Sequence, residues 1–139
     1  MKRSVFTGVS ILTVATALIV AAGMVMIPRR NVHAAGEVAI NETNFPDENF
    51  RSIISTKYDG NGDGKLSESE INEITSLNVD DEGITSLKGI EYFTSLTELA
   101  CYDNQLTALD VSKNTALTDL SCGYNQLTTL DVSKNTALE

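Results

Sequence analysis

Residues 96–116 read LTELACYDNQLTALDVSKNTA and residues 117–137 read LTDLSCGYNQLTTLDVSKNTA, and the two differ at only five of 21 positions. A tandem period of this length leaves few folds open, because one copy is too small to bury its own apolar face and neighbouring copies must stack. Leu138-Glu139 opens a third copy. A degenerate copy of 22 residues stands upstream, with Ile74, Leu77, Val79 and Ile84 in the matching positions and Glu82 in the Asn slot. Leu99 and Cys101 are two apart, so on a short strand both point inward while Ala100 and Tyr102 point out. Leu96 and Leu106 lie at the bends. Asn104 and Asn125 sit where the chain leaves the strand, and their amides can satisfy backbone groups that the turn would bury unpaired. Leucine spacings of 3, 2 and 5, broken by Asn-x-Leu and without capping signals, argue against amphipathic helices.

The skeleton L-x-x-L-x-C-x-x-N-x-L closely resembles the leucine-rich repeat. Its second half echoes the first, since Leu106, Leu109, Val111 and Asn114 mirror Leu96, Leu99, Cys101 and Asn104. That nesting is similar to a bacterial subclass of these repeats and implies extended structure on the outer face. The resemblance also implies a solenoid whose parallel strands form a concave sheet with outward residues available to a partner. Candidate partner-binding residues are Glu98, Tyr102 and Asp103 in one coil and Asp119 and Tyr124 in the next, facing a protein or glycan ligand. A merely solvated strand face would look similar at any one of these positions. Cys101 and Cys122 occupy the same inward slot of adjacent coils, about 4.8 Å apart between parallel neighbours, with Cβ vectors side by side. Buried free thiols are expected there rather than a bridge.

Between an amphipathic run and the repeats stands DGNGDGKLSESE, Asp59 to Glu70. Asp59, Asn61 and Asp63 place oxygens on alternate residues of a tight loop, Gly64 allows its sharp turn, Lys65 offers a backbone carbonyl, Ser67 can hold a water, and Glu70 closes the set with a carboxylate. This pattern resembles the calcium loop of the EF-hand family at each of those positions. The resemblance implies a Ca²⁺ site formed by Asp59, Asn61, Asp63, Lys65, Ser67 and Glu70. A flexible Gly/Asp-rich linker is the plainer alternative. The flanks favour the folded loop. Pro46 suits the first turn of a helix whose apolar face is Phe50, Ile53, Ile54 and Tyr58, and Ser67–Ile74 suits a short exiting helix. EF-hands usually pair, yet NVDDEGITSLKG from Asn78 carries Gly89 where a carboxylate belongs and is not a second loop. An unpaired exported site is expected to bind on the order of 0.1–1 mM.

The first 34 residues read as a leader. Lys2 and Arg3 precede an apolar run from Val5 to Ile27, and Val32-His33-Ala34 offers a cleavage site after Ala34. Because the run is long enough to span a bilayer, an uncleaved anchor is the alternative, and the only expected membrane contact. The leader holds four of the ten basic residues and none of the nineteen acidic ones, so the rest carries six against nineteen, a net −13. Such a surface disfavours nucleic acid and anionic lipid. With its single histidine in the leader and two spaced thiols, the remainder offers no nucleophile–base pair and no thiol–imidazole metal site, so no enzyme is expected within it. The sequence therefore predicts an α+β chain: leader 1–34, helix–loop–helix cap with a calcium loop 35–73, and a leucine-rich repeat solenoid 74–139, truncated at Glu139. Over residues 42–139 this is similar to internalins, bacterial surface proteins with a small helical cap fused to repeats. The resemblance implies an exported recognition or adhesion scaffold. The alternatives are an accessory module of a larger secreted hydrolase or, less well supported by a single loop, a dockerin-like assembly module.

Overall fold

In the computed structural model, which describes residues 36–139, the repeat period becomes a sheet register. The leader, its cleavage site and the anchor alternative lie outside the described residues. In chain order the elements are strand β1 (Val38–Ala39), helix α1 (Glu48–Lys57), strand β2 (Lys65–Leu66), helix α2 (Glu68–Glu73), strand β3 (Ser76–Asn78), a 3₁₀ turn (Ile90–Tyr92), strand β4 (Glu98–Ala100) and strand β5 (Asp119–Ser121). The last three strands form a parallel sheet in the order β3-β4-β5, with Leu77 opposite Leu99 and Leu99 opposite Leu120. Offsets of 22 and then 21 residues are the two repeat lengths, so one copy makes one coil.

Alternation along the strands follows the sequence. Leu77, Val79, Leu99 and Cys101 are buried, whereas Glu98 and Tyr102 are exposed. Asn104 accepts the N–H groups of Glu82 and Ile84 at 3.2 and 2.9 Å and donates to the carbonyls of Val79 and Cys101. It thus ties its own coil to the one before, in addition to satisfying its turn. On the far side of the coil Asn114 donates to the carbonyls of Ile90 and Phe93, and Asn135 repeats the pattern on Val111 and Asn114. The outer segment is irregular and turn-rich, and in the first coil it tightens into the 3₁₀ turn, a departure from purely extended structure.

Helix α1 begins at Glu48, two residues later than Pro46 suggests. Asp47 is its N-cap, accepting the Phe50 N–H at 3.0 Å, and Pro46 lies outside the helix. Proline fixes the entry angle there, while the carboxylate satisfies an orphan N–H and the helix dipole together. Phe50, Ile53 and Ile54 then bury one face. Ser67 and Glu70 form a capping box at the start of α2. Phe45, Phe50, Ile54, Leu66 and Ile71 join Leu77, Leu99 and Leu117 in one continuous core, so the helical segment and the coils exclude water from a shared interior. Phe45 is fully buried and packs against Phe50, Tyr92 and Phe93 with ring centroids 5.9, 5.9 and 6.3 Å away. Burying one such side chain contributes about 1.5–3 kcal/mol.

Candidate functional site

The acidic loop is closed on itself. Asp59 Oδ1 accepts the N–H groups of Gly62 and Asp63 at 2.8 and 3.2 Å, and Oδ2 accepts that of Gly64 at 2.9 Å. Asn61 Oδ1 accepts from Asp63 N–H at 2.8 Å, and Asp63 Oδ1 accepts from Lys65 N–H at 3.0 Å. Gly62 and Gly64 make the turns possible at φ of 68° and 78°, a region that side chains with a Cβ enter at a cost. Glu70 reaches back from α2: Oε1 accepts Gly60 N–H at 2.9 Å, and Oε2 accepts both the N–H and the hydroxyl of Ser67 at 2.8 Å. The N–H and hydroxyl of Ser67, with further backbone N–H groups from Gly60 and Asn61, hold the Glu70 carboxyl below its ordinary range.

The six residues assigned to metal thus stand in one stretch that runs from the end of α1 through β2 into α2, with its second position, Gly60, bonded to its last, Glu70. Their carboxylates nevertheless turn toward backbone N–H groups. Among the described residues, no three His, Cys, Asp or Glu side chains converge to metal-ligating distance. The donor set is all oxygen, as a hard cation requires, and the two left-handed glycines give the loop its tight winding. In those two respects the residues fit calcium.

One element of this site was not legible in the sequence. Strand β1 pairs antiparallel with β2, Val38 opposite Leu66 and Ala39 opposite Lys65. Ile40 N–H also donates to Gly64 O at 2.9 Å, and Glu37 meets Lys65 at 3.2 Å. Two residues are too few to carry a hydrophobic period, so only the alternating Val38 and Ile40 could have hinted at it.

The second candidate surface is the outward face of β3-β4-β5. Ser76, Asn78, Glu98, Ala100, Asp119 and Ser121 line an open groove of about 420 Å³. Beside it Tyr102 and Tyr124 are 41% and 75% exposed, with ring centroids 4.9 Å apart. Asp81, Asp103 and Tyr124 occupy the same turn in successive coils, at φ of 55°, 53° and 50°. Of the residues expected to meet a partner, Glu98 and Asp119 stand on β4 and β5 and Tyr102, Asp103 and Tyr124 follow those strands, all five exposed. The sequence alone did not point to Asp80, whose Oδ1 accepts Tyr102 N–H at 2.7 Å. Cys101 and Cys122 are free, one buried and one half-buried. Burial first, then the neighbouring Cys122 and Asp80, pushes the Cys101 thiol up to about 12.

No family model matches the sequence. Two curated proteins do, both internalin J of Listeria monocytogenes. The one from serotype 4b (strain F2365) is 39% identical over 71 residues, 51% of this chain and 8% of that protein. The one from serovar 1/2a (strain EGD-e) is 39% identical over 86 residues, 62% of this chain and 10% of that protein. The chain thus spans about a tenth of the length of these relatives. Among solved structures it is similar to the functional domain of InlJ from Listeria monocytogenes, which includes a cysteine ladder, at 39% identity and a TM-score of 0.66, covering 73% of this chain and 22% of that one. The internalin InlF of Listeria monocytogenes strain F2365 follows at 28% identity and a TM-score of 0.63, covering 76% and 32%. Internalin C2 of the same strain, at 24% identity and a TM-score of 0.66 over 76% of this chain and 47% of that one, supports the fold alone. The chain is homologous to the leucine-rich-repeat proteins of the internalin family of Listeria, and its α+β fold is related to their repeat domains.

Proposed function

We propose that this chain belongs to an exported bacterial leucine-rich-repeat protein that serves as a recognition or adhesion scaffold for a protein or glycan ligand. In this reading the coils form a curved solenoid whose sheet face meets the partner, and the segment 35–73 is its helical cap. The observation that carries the reading is the 39% identity to the InlJ functional domain across 73% of the chain, joined to an outward sheet face on which Glu98, Asp119 and Ser121 are exposed. It is a binding function and not an enzymatic one.

Calcium has a structural role in the proposal. Asp59, Asn61 and Asp63 would supply side-chain oxygens, Lys65 its carbonyl, Ser67 a water and Glu70 its carboxylate. When bound, the ion neutralises three carboxylates within twelve residues and fastens the end of α1 to the start of α2. Support comes from the loop's oxygen donors, its left-handed glycines and the Glu70–Gly60 closure. Glu70 holds three hydrogen bonds of its own, so coordination requires it to give some up, which favours a weak site suited to calcium-rich fluid.

The test is binding of the chain to arrays of extracellular proteins and of glycans in millimolar calcium. Specific signals that Tyr102→Ala/Tyr124→Ala removes are expected. Blank arrays, or signals indifferent to that double substitution, would refute the scaffold reading.

A further inference from the structure

The two near-identical coils are a comparison built into the molecule. Of their five differences, four fall at the outward strand face and the turn that follows it: Glu98/Asp119, Ala100/Ser121, Tyr102/Gly123 and Asp103/Tyr124. The fifth, Ala108/Thr129, is the one exposed position elsewhere on the coil that changes, whereas others, among them Thr107/Thr128 and Lys113/Lys134, are unchanged. Exposure alone would let those positions drift as well. The frame is copied, and the alterations concentrate on the sheet face and its turn.

The alterations produce an aromatic pair. Gly123 replaces tyrosine in the second coil, and a Cβ there would lie 3.3 Å from Tyr102 Cδ2, so glycine lets the Tyr102 ring lie over the next strand. The tyrosine moves one place on, to Tyr124, whose φ of 50° is unusual for a bulky residue and sets its ring 4.9 Å from Tyr102. Asp81 and Asp103 hold the same turn in the earlier coils, and aspartate enters that region more readily. Strain of this kind at an exposed aromatic side chain marks a surface shaped for contact.

Charge identifies the partner. Asp80 accepts the Tyr102 N–H and Asp103 adjoins Tyr102 in sequence, Glu98 and Asp119 stand opposite each other on the strands that lead to the pair, and the three strands carry no Lys or Arg. Among the described residues the one ion pair is Lys65–Glu37, remote in sequence from this face, so these carboxylates are uncompensated. Tyrosine faces attract cations, and tyrosine is over-represented among the anchors of protein interfaces. The two rings are tilted by 50° and form no flat platform for a sugar, and a neutral glycan gains no Coulomb attraction from the acids.

We propose that the outward sheet face docks a cationic, extended segment of a partner protein, with one lysine or arginine seated against the Tyr102–Tyr124 pair and another, further along the segment, against Glu98 and Asp119. The proposal rests on the scaffold reading and narrows its partner to one class.

Calorimetric titration of the chain tests it, with a hexalysine peptide and a neutral chitohexaose as probes. Hexalysine binding is expected to weaken at least tenfold in Tyr102→Ala/Tyr124→Ala and in Glu98→Gln/Asp119→Asn. It should change less than twofold in Glu42→Gln/Glu73→Gln, which removes the same charge elsewhere. Equal losses in both charge-removing pairs would reduce the effect to net charge and overturn the proposal, as would no hexalysine binding. Chitohexaose binding that depends on the tyrosines would overturn the cationic partner while sparing the scaffold reading. That broader reading fails separately, on blank protein and glycan arrays.

Discussion

Asp47 joins two parts of the chain through one carboxylate: Oδ1 caps α1 at Phe50 N–H, while Oδ2 accepts the N–H and hydroxyl of Thr85 at 2.8 and 2.7 Å. The N–H of Ser86 adds a contact at 3.3 Å. A helix cap and a contact 38 residues away therefore depend on the same side chain.

Asp47→Ala should lower stability by about 2 kcal/mol, combining a lost N-cap with lost charge-assisted bonds. Urea unfolding of Asp47→Ala, Thr85→Ala and the double variant checks this. Additive effects would mean that the two residues are not coupled. The pH dependence has a definite sign. Burial acts to raise the Asp47 pKa, but N–H bonds from Phe50 and Thr85, with the Thr85 hydroxyl and Ser86 N–H, together hold it below its ordinary value. A depressed folded pKa gives stability that is present above the ordinary carboxylate range and lost as pH falls through the folded value. The gap between wild type and Asp47→Asn should be full at pH 7 and close below about pH 4.

Gly89 is the seat of Phe45. A Cβ at Gly89 would collide with the Phe45 ring and lie 2.8 Å from the Asn44 carbonyl oxygen, at a φ of 109°. Gly89→Ala should cost about 3 kcal/mol or more, since both the backbone and the packed ring would have to move. Thermal melting measures it. A loss under 1 kcal/mol would show that the Phe45 contact is loose.

Calcium at a hundredfold excess over its Kd should stabilise the chain by about 2.7 kcal/mol. Melting temperature should rise with added calcium in wild type and stay flat in Glu70→Ala. Identical melting with and without the ion in wild type would return the loop to the linker alternative.

Ile40 tests whether β1 supports the loop. Ile40→Pro deletes the N–H that donates to Gly64 O and should weaken calcium binding about tenfold, with modest loss of stability without calcium. Calcium-dependent protection of the Ile40 amide from hydrogen exchange is the companion measurement. Unchanged affinity would make the strand incidental.

Alkylation separates the two cysteines. Burial raises both thiols, more for Cys101, so at pH 8 iodoacetamide should modify Cys122 first and leave Cys101 protected until the fold opens. Equal rates at both positions, read by mass spectrometry, would contradict the buried placement of Cys101.

The repeat period determined the inward leucines, the strand positions and the stacking of Cys101 near Cys122, because these follow from spacing along one copy. The acidic loop was legible for the same reason: its turns are made by residues two to five apart. Tertiary structure alone decided the rest. Asp47 finds Thr85, Phe45 finds Gly89 and β1 finds β2 through contacts between segments with no common period. The Tyr102–Tyr124 pair needed both the 21-residue register and a left-handed turn at Tyr124. Local spacing sets which way a side chain faces, whereas which distant group meets it is fixed only when the chain closes its core and solvent is excluded.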